Sequence, residues 1–107
     1  MPVAHVVTFT FVPGTPPETI AALSDGLRAV SAACTGIESY HHGGDLGLRP
    51  GTADYAIAAV FSDRDALARY LTHPEHLRVN ADFGPIIAAK SSAQFAAGHQ
   101  EQKVGRP

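Results

Sequence analysis

Several features that would point to a function class are missing from this sequence. It has one cysteine, Cys34, which excludes an internal disulfide framework and is typical of a reducing, cytoplasmic environment. Its 8 basic and 10 acidic residues give a net charge of −2, and no basic cluster is present, so no nucleic-acid partner is expected. The apolar runs are much shorter than a membrane span and no signal-peptide core is visible, so no membrane partner is expected.

What remains is the composition of an ordinary folded domain. The 107 residues are 45% hydrophobic and 17% charged, which suits one small domain with a single core. Residues 97–107 offer almost nothing that a core could bury. We therefore expect one domain over residues 1–96 and a flexible C-terminal tail over 97–107.

Apolar periodicity and turn residues predict the elements of the first half. Residues 3–11 alternate as in a strand, and one face of that strand carries Val3, His5, Val7, Phe9 and Phe11. A helix start is predicted with Thr15 as N-cap, Pro16 at the first position and Glu18 completing a capping box. An apolar stripe extends this helix to about Cys34.

The same signals predict the elements of the second half. A strand is expected over 37–42, a non-strand stretch rich in glycine and proline over 43–51, and a further strand over 55–61. Ser62 and Asp65 are expected to cap a second helix, which has four inward residues: Ala66, Leu67, Tyr70 and Leu71. A short helical piece is expected from Pro74 to about Asn80, and the last strand lies within 86–96.

The resulting β-α-β-β-α-β order predicts a ferredoxin-like α+β fold, a four-stranded antiparallel sheet with both helices on one face. The strand over 55–61 is apolar on both faces, so the side of the sheet away from the helices would also be apolar. Monomers seldom leave such a patch open to water. A homodimer whose sheets pack face to face as a barrel is therefore expected.

The segment from Tyr70 to His76 is the strongest candidate for chemistry. Pro74 cannot continue a helix and disfavours the α conformation at His73, so the chain turns there. Residues six apart on an unbroken helix point to different sides, and the turn lets Tyr70 and His76 converge. The alternative is a core tyrosine beside solvated histidines. For His73 itself, an N-cap role competes with a place in the site.

Three pieces of the chain resemble the stress-responsive dimeric α/β barrel (Dabb) family. They are the first strand with its histidine at position 5, the segment 45–48 followed by 54–56, and the Tyr70…His73-Pro74-Glu75-His76 stretch. The resemblance spans about residues 3–96. It implies a ferredoxin-like protomer that dimerises through its sheet. This agrees with the strand over 55–61, which is apolar on both faces.

Family resemblance also implies a reaction. One plant member, a polyketide cyclase, closes a linear polyketide by an intramolecular aldol reaction without metal or organic cofactor. Its catalytic tyrosine and histidine match Tyr70 and His76, and its N-terminal strand histidine matches His5. A pocket histidine of that enzyme falls on Tyr55 here, and a pocket tyrosine falls on Leu27, so its substrate is not carried over.

On this reading, His76 is the base, Tyr70 is its hydrogen-bonding partner, and the remaining residues line a pocket between helices and sheet. A histidine suits the role of base because its ordinary pKa is about 6.5. The expected ligand is a small apolar or polyketide-like molecule, and no cofactor is implied. The expected lining is His5, Val7, Phe9, Tyr55, Ile57, Leu67 and His73, for each of which plain core packing is the alternative.

Other readings stay open. A non-catalytic dimer that binds a small apolar ligand explains the same pattern, and a cofactor-free monooxygenase is a third possibility. His41 and His42 alternate across a strand, so at most one of them can face the pocket. No close ligand pair or carboxylate cluster indicates a metal site, and Gly43, Gly44 and Gly47 lack the dinucleotide-binding spacing.

Overall fold

The computed structural model describes residues 1–98, which form four strands and three α-helices in the predicted order, the second helical region being divided in two. The strands are β1 (Val3–Phe11), β2 (Ile37–Gly44), β3 (Tyr55–Phe61) and β4 (Ile87–Ala96). The helices are α1 (Pro17–Ala33), α2 (Arg64–Thr72) and α3 (Pro74–Phe83), and a 3₁₀ turn at Gly84–Ile86 leads into β4. Most of the predicted tail, residues 99–107, lies outside the described residues.

The strands form one antiparallel sheet in the order β2-β3-β1-β4, which confirms the ferredoxin-like fold. Because paired residues of neighbouring strands share a face, the register defines two sides. His5 lies opposite Ala59 of β3 and Gln94 of β4, on the side that the helices cover. Helix α1 packs on β2, α2 packs on β3, and α3 packs on the other two helices.

The core lies between this covered side and the helices. The predicted face of β1 is buried at Val3, His5, Val7, Phe9 and Phe11, and the α1 stripe is buried at Leu23, Leu27 and Val30. Gly26 does not interrupt α1. A Cβ at Gly26 would lie 3.1 Å from Cγ2 of Val79 in α3, so glycine here lets the two helices pack closely.

Both predicted helix caps were wrong in detail. Helix α1 begins at Pro17 with Pro16 at the N-cap and no side-chain cap. Thr15 instead donates its hydroxyl to the Val12 carbonyl in the preceding turn, and Pro17 has no N–H that would need an acceptor. Helix α2 is capped by Asp63, which accepts from the Ala66 N–H at 2.8 Å.

The structure also refines expectations about β2, α2 and α3. Strand β2 extends through Gly43 and Gly44, which pair with Ala56 and Tyr55, although glycines had been expected to end it earlier. Leu71, expected to face inward, lines the cavity described below but is 40% exposed, so it is much less buried than Ala66, Leu67 and Tyr70. Helix α3 is also longer than predicted, since it continues to Phe83.

The uncovered side of the sheet carries no formal charge on β1, β3 or β4. Its members, identified from the register, are Ala4, Val6, Thr8 and Thr10 on β1, Ala56, Ala58 and Val60 on β3, and Ala89, Ser91, Ala93 and Phe95 on β4. Phe95 is 56% exposed. We call this set the open face.

Candidate functional site

A cavity of about 610 Å³ lies between the covered side of the sheet and the helices. Its apolar lining comes from strands and helices together: Val7, Phe9, Leu23, Leu27, Ile57, Leu67, Leu71, Val79, Phe83 and Ile87. Its polar lining comprises His5, Tyr70, His76, Asn80, Lys90, Ser92 and Gln94. An apolar wall with a few polar groups is the usual character of a small-molecule site.

The turn at Pro74 brings Tyr70 and His76 together. Helix α2 ends at Thr72, and His73 takes an extended conformation (φ −63°, ψ 138°) before α3 begins at Pro74. The centroids of the Tyr70 and His76 rings are 4.5 Å apart. Tyr70 is 1% exposed, whereas His76 is half-buried at the cavity wall. The convergence expected from the sequence is therefore present.

One ring nitrogen of His76 is held by the backbone. Its Nδ1 lies 3.2 Å from the carbonyl oxygen of Leu71. A carbonyl oxygen can only accept, and its contact is shorter than the 3.5 Å contact between Nδ1 and the side-chain amide nitrogen of Asn80, so we assign the proton to Nδ1 and take Nε2 as the unprotonated nitrogen of the neutral ring. Burial is the main cause that lowers the pKa of His76; the Leu71 contact opposes it and the charge of Lys90 adds to it. The imidazole is therefore neutral at pH 7.

His5 has the opposite arrangement. The amide N–H of Gln94 donates to His5 Nδ1 at 2.9 Å, so the proton of the neutral ring sits on Nε2. His5 is 6% exposed, and within residues 1–98 its Nε2 has no hydrogen-bond partner. Burial first, and then the nearby His76 and Lys90, lower the pKa of His5. The cavity wall thus contains a buried donor, on His5, and an unprotonated acceptor, on His76.

The hydroxyl of Tyr70 does not contact His76. It lies 2.8 Å from the hydroxyl of Tyr40 on β2, and among the described residues no hydrogen bond joins Tyr70 to His76. The expectation that Tyr70 is the hydrogen-bonding partner of His76 is therefore wrong in this structure. Burial raises the pKa of both phenols, so both stay protonated. Tyr40 positions Tyr70, and no role had been assigned to it from the sequence.

Two predicted lining residues do not line the cavity. Tyr55 lies on the covered side of β3, but its hydroxyl bonds Ser24 at 2.6 Å and Nδ1 of His42 at 2.7 Å, under α1. His73 uses Nδ1 to accept from the Glu75 N–H at 3.1 Å and so caps α3, which was the competing reading. The other predicted residues, His5, Val7, Phe9, Ile57, Leu67, Tyr70 and His76, all line the cavity.

A bulge in β2 explains why Tyr40 and His42 were not recognised. Ile37 pairs with Phe61 and Ser39 with Val60, so one extra residue lies between them. Beyond this shift, Tyr40 and His42 face the helices while His41 is turned to the other side. Strict alternation from Ile37 would have placed His41 inward. The sequence signal that could have found the pair is their spacing of two.

Residues 1–98 contain neither a metal-binding cluster nor a membrane-spanning helix. No group of three or more His, Cys, Asp or Glu side chains in this range is placed to hold a metal ion. None of the helices in the same range is both long and apolar enough to cross a membrane.

Fold and cavity together define a ferredoxin-like domain with a largely apolar cavity under its helices. The family model of the stress-responsive A/B barrel domain (Dabb) matches residues 3–95. The chain therefore belongs to the Dabb family. No protein of curated function matches the sequence at a significant level.

Three solved structures illustrate the likeness. A dimeric ferredoxin-like protein of unknown function from Thermobifida fusca is 29% identical, with a TM-score of 0.84 and coverage of 90% of this chain and 91% of that one. A hydroxynitrile lyase from Passiflora edulis is 14% identical, with a TM-score of 0.81 and coverage of 94% and 97%. SnoaB, a cofactor-independent oxygenase from Streptomyces nogalater, is 20% identical, with a TM-score of 0.73 and coverage of 95% and 98%. The last two share the fold.

Proposed function

We propose that the protein is a homodimer that binds a small, largely apolar ligand in the cavity and closes a linear polyketide-like chain by a cofactor-independent, intramolecular aldol-type reaction. One observation carries the proposal. A neutral imidazole, His76, lines an apolar cavity with Nδ1 anchored to the Leu71 carbonyl and Nε2 left as a base. This is the protonation state that proton abstraction at neutral pH requires.

The two histidines have complementary roles in this mechanism. His76 Nε2 takes a proton from a carbon between two carbonyl groups, and the resulting enolate carbon attacks a distant carbonyl of the same chain. The His5 Nε2–H stabilises the negative charge that develops on the attacked oxygen. The proton held by His76 then returns to that oxygen, so one C–C bond forms and no external reactant is needed.

The remaining lining residues have supporting roles. Tyr70 packs its ring against His76 while Tyr40 fixes its hydroxyl, so the imidazole has a rigid neighbour. Val7, Phe9, Ile57 and Leu67 provide the apolar wall on which the chain would fold. Holding the two reacting carbons close together contributes to the rate because it removes the entropy cost of their encounter.

Turnover of linear polyketones, followed by mass spectrometry for cyclised or dehydrated product, tests the catalytic proposal. His76→Gln keeps the size and polarity of the site but removes the base, and we expect a loss of about 100-fold or more in turnover. The matched control is Glu18→Gln, which changes an exposed side chain in the first turn of α1, outside both the cavity and the open face, and is expected to keep full activity. Full activity of a well-folded His76→Gln would remove His76 from the chemistry.

A second candidate function is non-catalytic binding of a small apolar ligand. The observation that favours it is the Tyr40–Tyr70 hydrogen bond, since it directs the Tyr70 hydroxyl away from His76. The same experiment separates the two functions. Ligand binding in the cavity with no conversion of any polyketone tested, by the native protein at high concentration, is the result that supports this alternative.

The homodimer is supported by the open face. A large sheet surface without formal charge on three strands is uncommon on a monomer, and a second copy of the same surface is the simplest cover for it. Leu46 and Leu48, which are 82% and 81% exposed, extend the apolar surface beyond the sheet. The related Thermobifida fusca protein is described as dimeric.

Sedimentation equilibrium tests this assembly. Ala58→Arg would place a charge on the open face, where the second copy would desolvate it, and we expect the dissociation constant to rise by about 100-fold or more. The matched control is Ala22→Arg, the same substitution at an exposed position of α1 on the other side of the sheet, which should leave the dimer intact. A wild-type protein that is monomeric at tens of micromolar would contradict the proposal.

A further inference from the structure

One edge of the cavity carries three polar side chains from a single strand. Strand β4 presents Lys90, Ser92 and Gln94 to the covered side, opposite Phe9, Val7 and His5 respectively. All three line the cavity. The opposite wall, formed by the helices, is mainly leucine, valine and phenylalanine. A bound molecule would therefore lie with one side against apolar groups and the other against this polar stripe.

The polar stripe formed by Lys90, Ser92 and Gln94 carries a positive charge and no negative charge. Lys90 is a cation, and no Asp or Glu belongs to the lining that the described residues provide. Helix α3 carries two carboxylates, Glu75 and Asp82, and both form ion pairs with Arg78. In the range 1–98, Lys90 has no ion-pair partner. The cavity thus combines an apolar wall with a single unneutralised positive charge.

We infer that the ligand of this cavity is a carboxylate-bearing acyl chain and that Lys90 is the residue that recognises its carboxylate. This deepens, and rests on, the proposed binding of a small apolar ligand. Within the aldol scheme, the substrate would be a free oxo acid and not an ester or a neutral ketone.

The opposite end of the stripe supports an oxygenated chain. His5, paired with Gln94, is nine-tenths buried and has an Nε2–H without a partner in residues 1–98. A buried donor left unpaired is destabilising, and an acceptor oxygen from the ligand would remove that cost. Lys90 and Gln94 are four residues apart on β4, about 13 Å along the strand. A chain of several carbons with a carboxylate at one end and a carbonyl further along fits both groups.

A pair of probes that differ only in charge tests the inference. Octanoate and methyl octanoate are titrated into the full chain at pH 7.5 and low salt, with the NMR shifts of cavity residues as readout. We expect the acid to bind about three- to tenfold more tightly than the ester, since the Lys90 ammonium is exposed and its contact is partly screened. The preference should fall as salt is added.

Variants of Lys90 test whether this residue causes the preference for the acid over the ester. Lys90→Met keeps the length of the side chain without its charge and should abolish the difference between acid and ester, whereas Lys90→Arg should retain it. Arg49→Met removes a positive charge outside the cavity and should change nothing. Equal affinity of the two probes for the native protein, or a preference that survives in Lys90→Met, would overturn the inference.

The outcomes of these experiments distinguish failure of the inference about Lys90 from failure of the proposed function. A Lys90-dependent preference for the acid, with no turnover of any polyketone, would retain the inference and reject the cyclase. Turnover of neutral polyketones at the same efficiency as their acids would retain the cyclase and reject the inference. Absence of any shift at cavity residues with millimolar probe would contradict both.

Discussion

Two clusters of histidine and tyrosine lie beneath the helices, and they differ in what their polar atoms contact. In the first, under α1, His42, Tyr55 and Ser24 are joined by hydrogen bonds of 2.6 and 2.7 Å. In the second, His76 and His5 line the cavity, and each has one ring nitrogen bound and the other unbound within the described residues. The same residue types therefore serve packing in one place and are available to a ligand in the other.

The difference could not be read from residue identity alone. In the second cluster, both imidazoles line the cavity, and the partners of Nδ1 leave Nε2 of each ring without a partner in residues 1–98. In the first, the Tyr55 hydroxyl is bonded on both sides, to Ser24 and to Nδ1 of His42, and neither Ser24 nor His42 lines the cavity. We call them the closed cluster (Ser24, His42, Tyr55) and the open cluster (His5, Tyr70, His76).

The largest expected effect is a difference in stability between a variant of the closed cluster and a variant of the open cluster. Tyr55→Ala should destabilise the protein by about 3–5 kcal/mol, because its ring is buried against Phe9, Phe11 and His42. His76→Ala, at the cavity edge, should cost about 1–2 kcal/mol or less. Urea unfolding of both variants measures the difference. Equal losses would mean that the open cluster is also a packing element.

A hydroxyl pair connects the open cluster to β2, and its removal should have a smaller effect. Tyr40→Phe and Tyr70→Phe each leave one phenol without its partner at 2.8 Å, and each should cost about 1–3 kcal/mol. The double variant should cost clearly less than the sum of the single ones, because no orphaned hydroxyl remains. A double-mutant cycle by denaturant unfolding measures this coupling. Strictly additive losses would argue that the two hydroxyls do not interact.

The smallest effect concerns pH. Burial lowers the pKa of His5, His76 and His42, so below about pH 6.5 the unfolded chain binds protons that the folded chain does not. Stability should therefore be fully present above that pH and should fall as the pH is lowered from 7.5 to 5.5. Replacing His5 or His76 by Gln should flatten this dependence. Unchanged steepness in both variants would show that neither imidazole is held neutral by the fold.

The sequence predicted the open cluster because local rules determine it. Alternation along β1 places His5 inward together with its apolar neighbours, and Pro74 divides the helix so that Tyr70 and His76 meet. Both signals need only a few consecutive residues. The fold order followed from the same kind of pattern.

The closed cluster and the polar stripe depend on long-range register, which a single sequence does not contain. One extra residue in β2 reversed the faces of His41 and His42 and brought Tyr40 to Tyr70. Tyr55 was assigned to the cavity because its strand face was correct, but its hydroxyl is bound to a residue 31 positions away. The place of Lys90 and Gln94 was fixed only by pairing of β4 with β1.

The central claim is that His76 is a neutral imidazole with its proton on Nδ1 and a basic Nε2 available to a ligand. ¹⁵N NMR of the histidine side chains at pH 7 tests it most directly. The account predicts a neutral His76 in the Nδ1–H tautomer, a pKa below the ordinary value, and a change in the Nε2 signal when a polyketide-like acid is added. A charged ring, a proton on Nε2, or an Nε2 signal indifferent to every ligand that enters the cavity would contradict it.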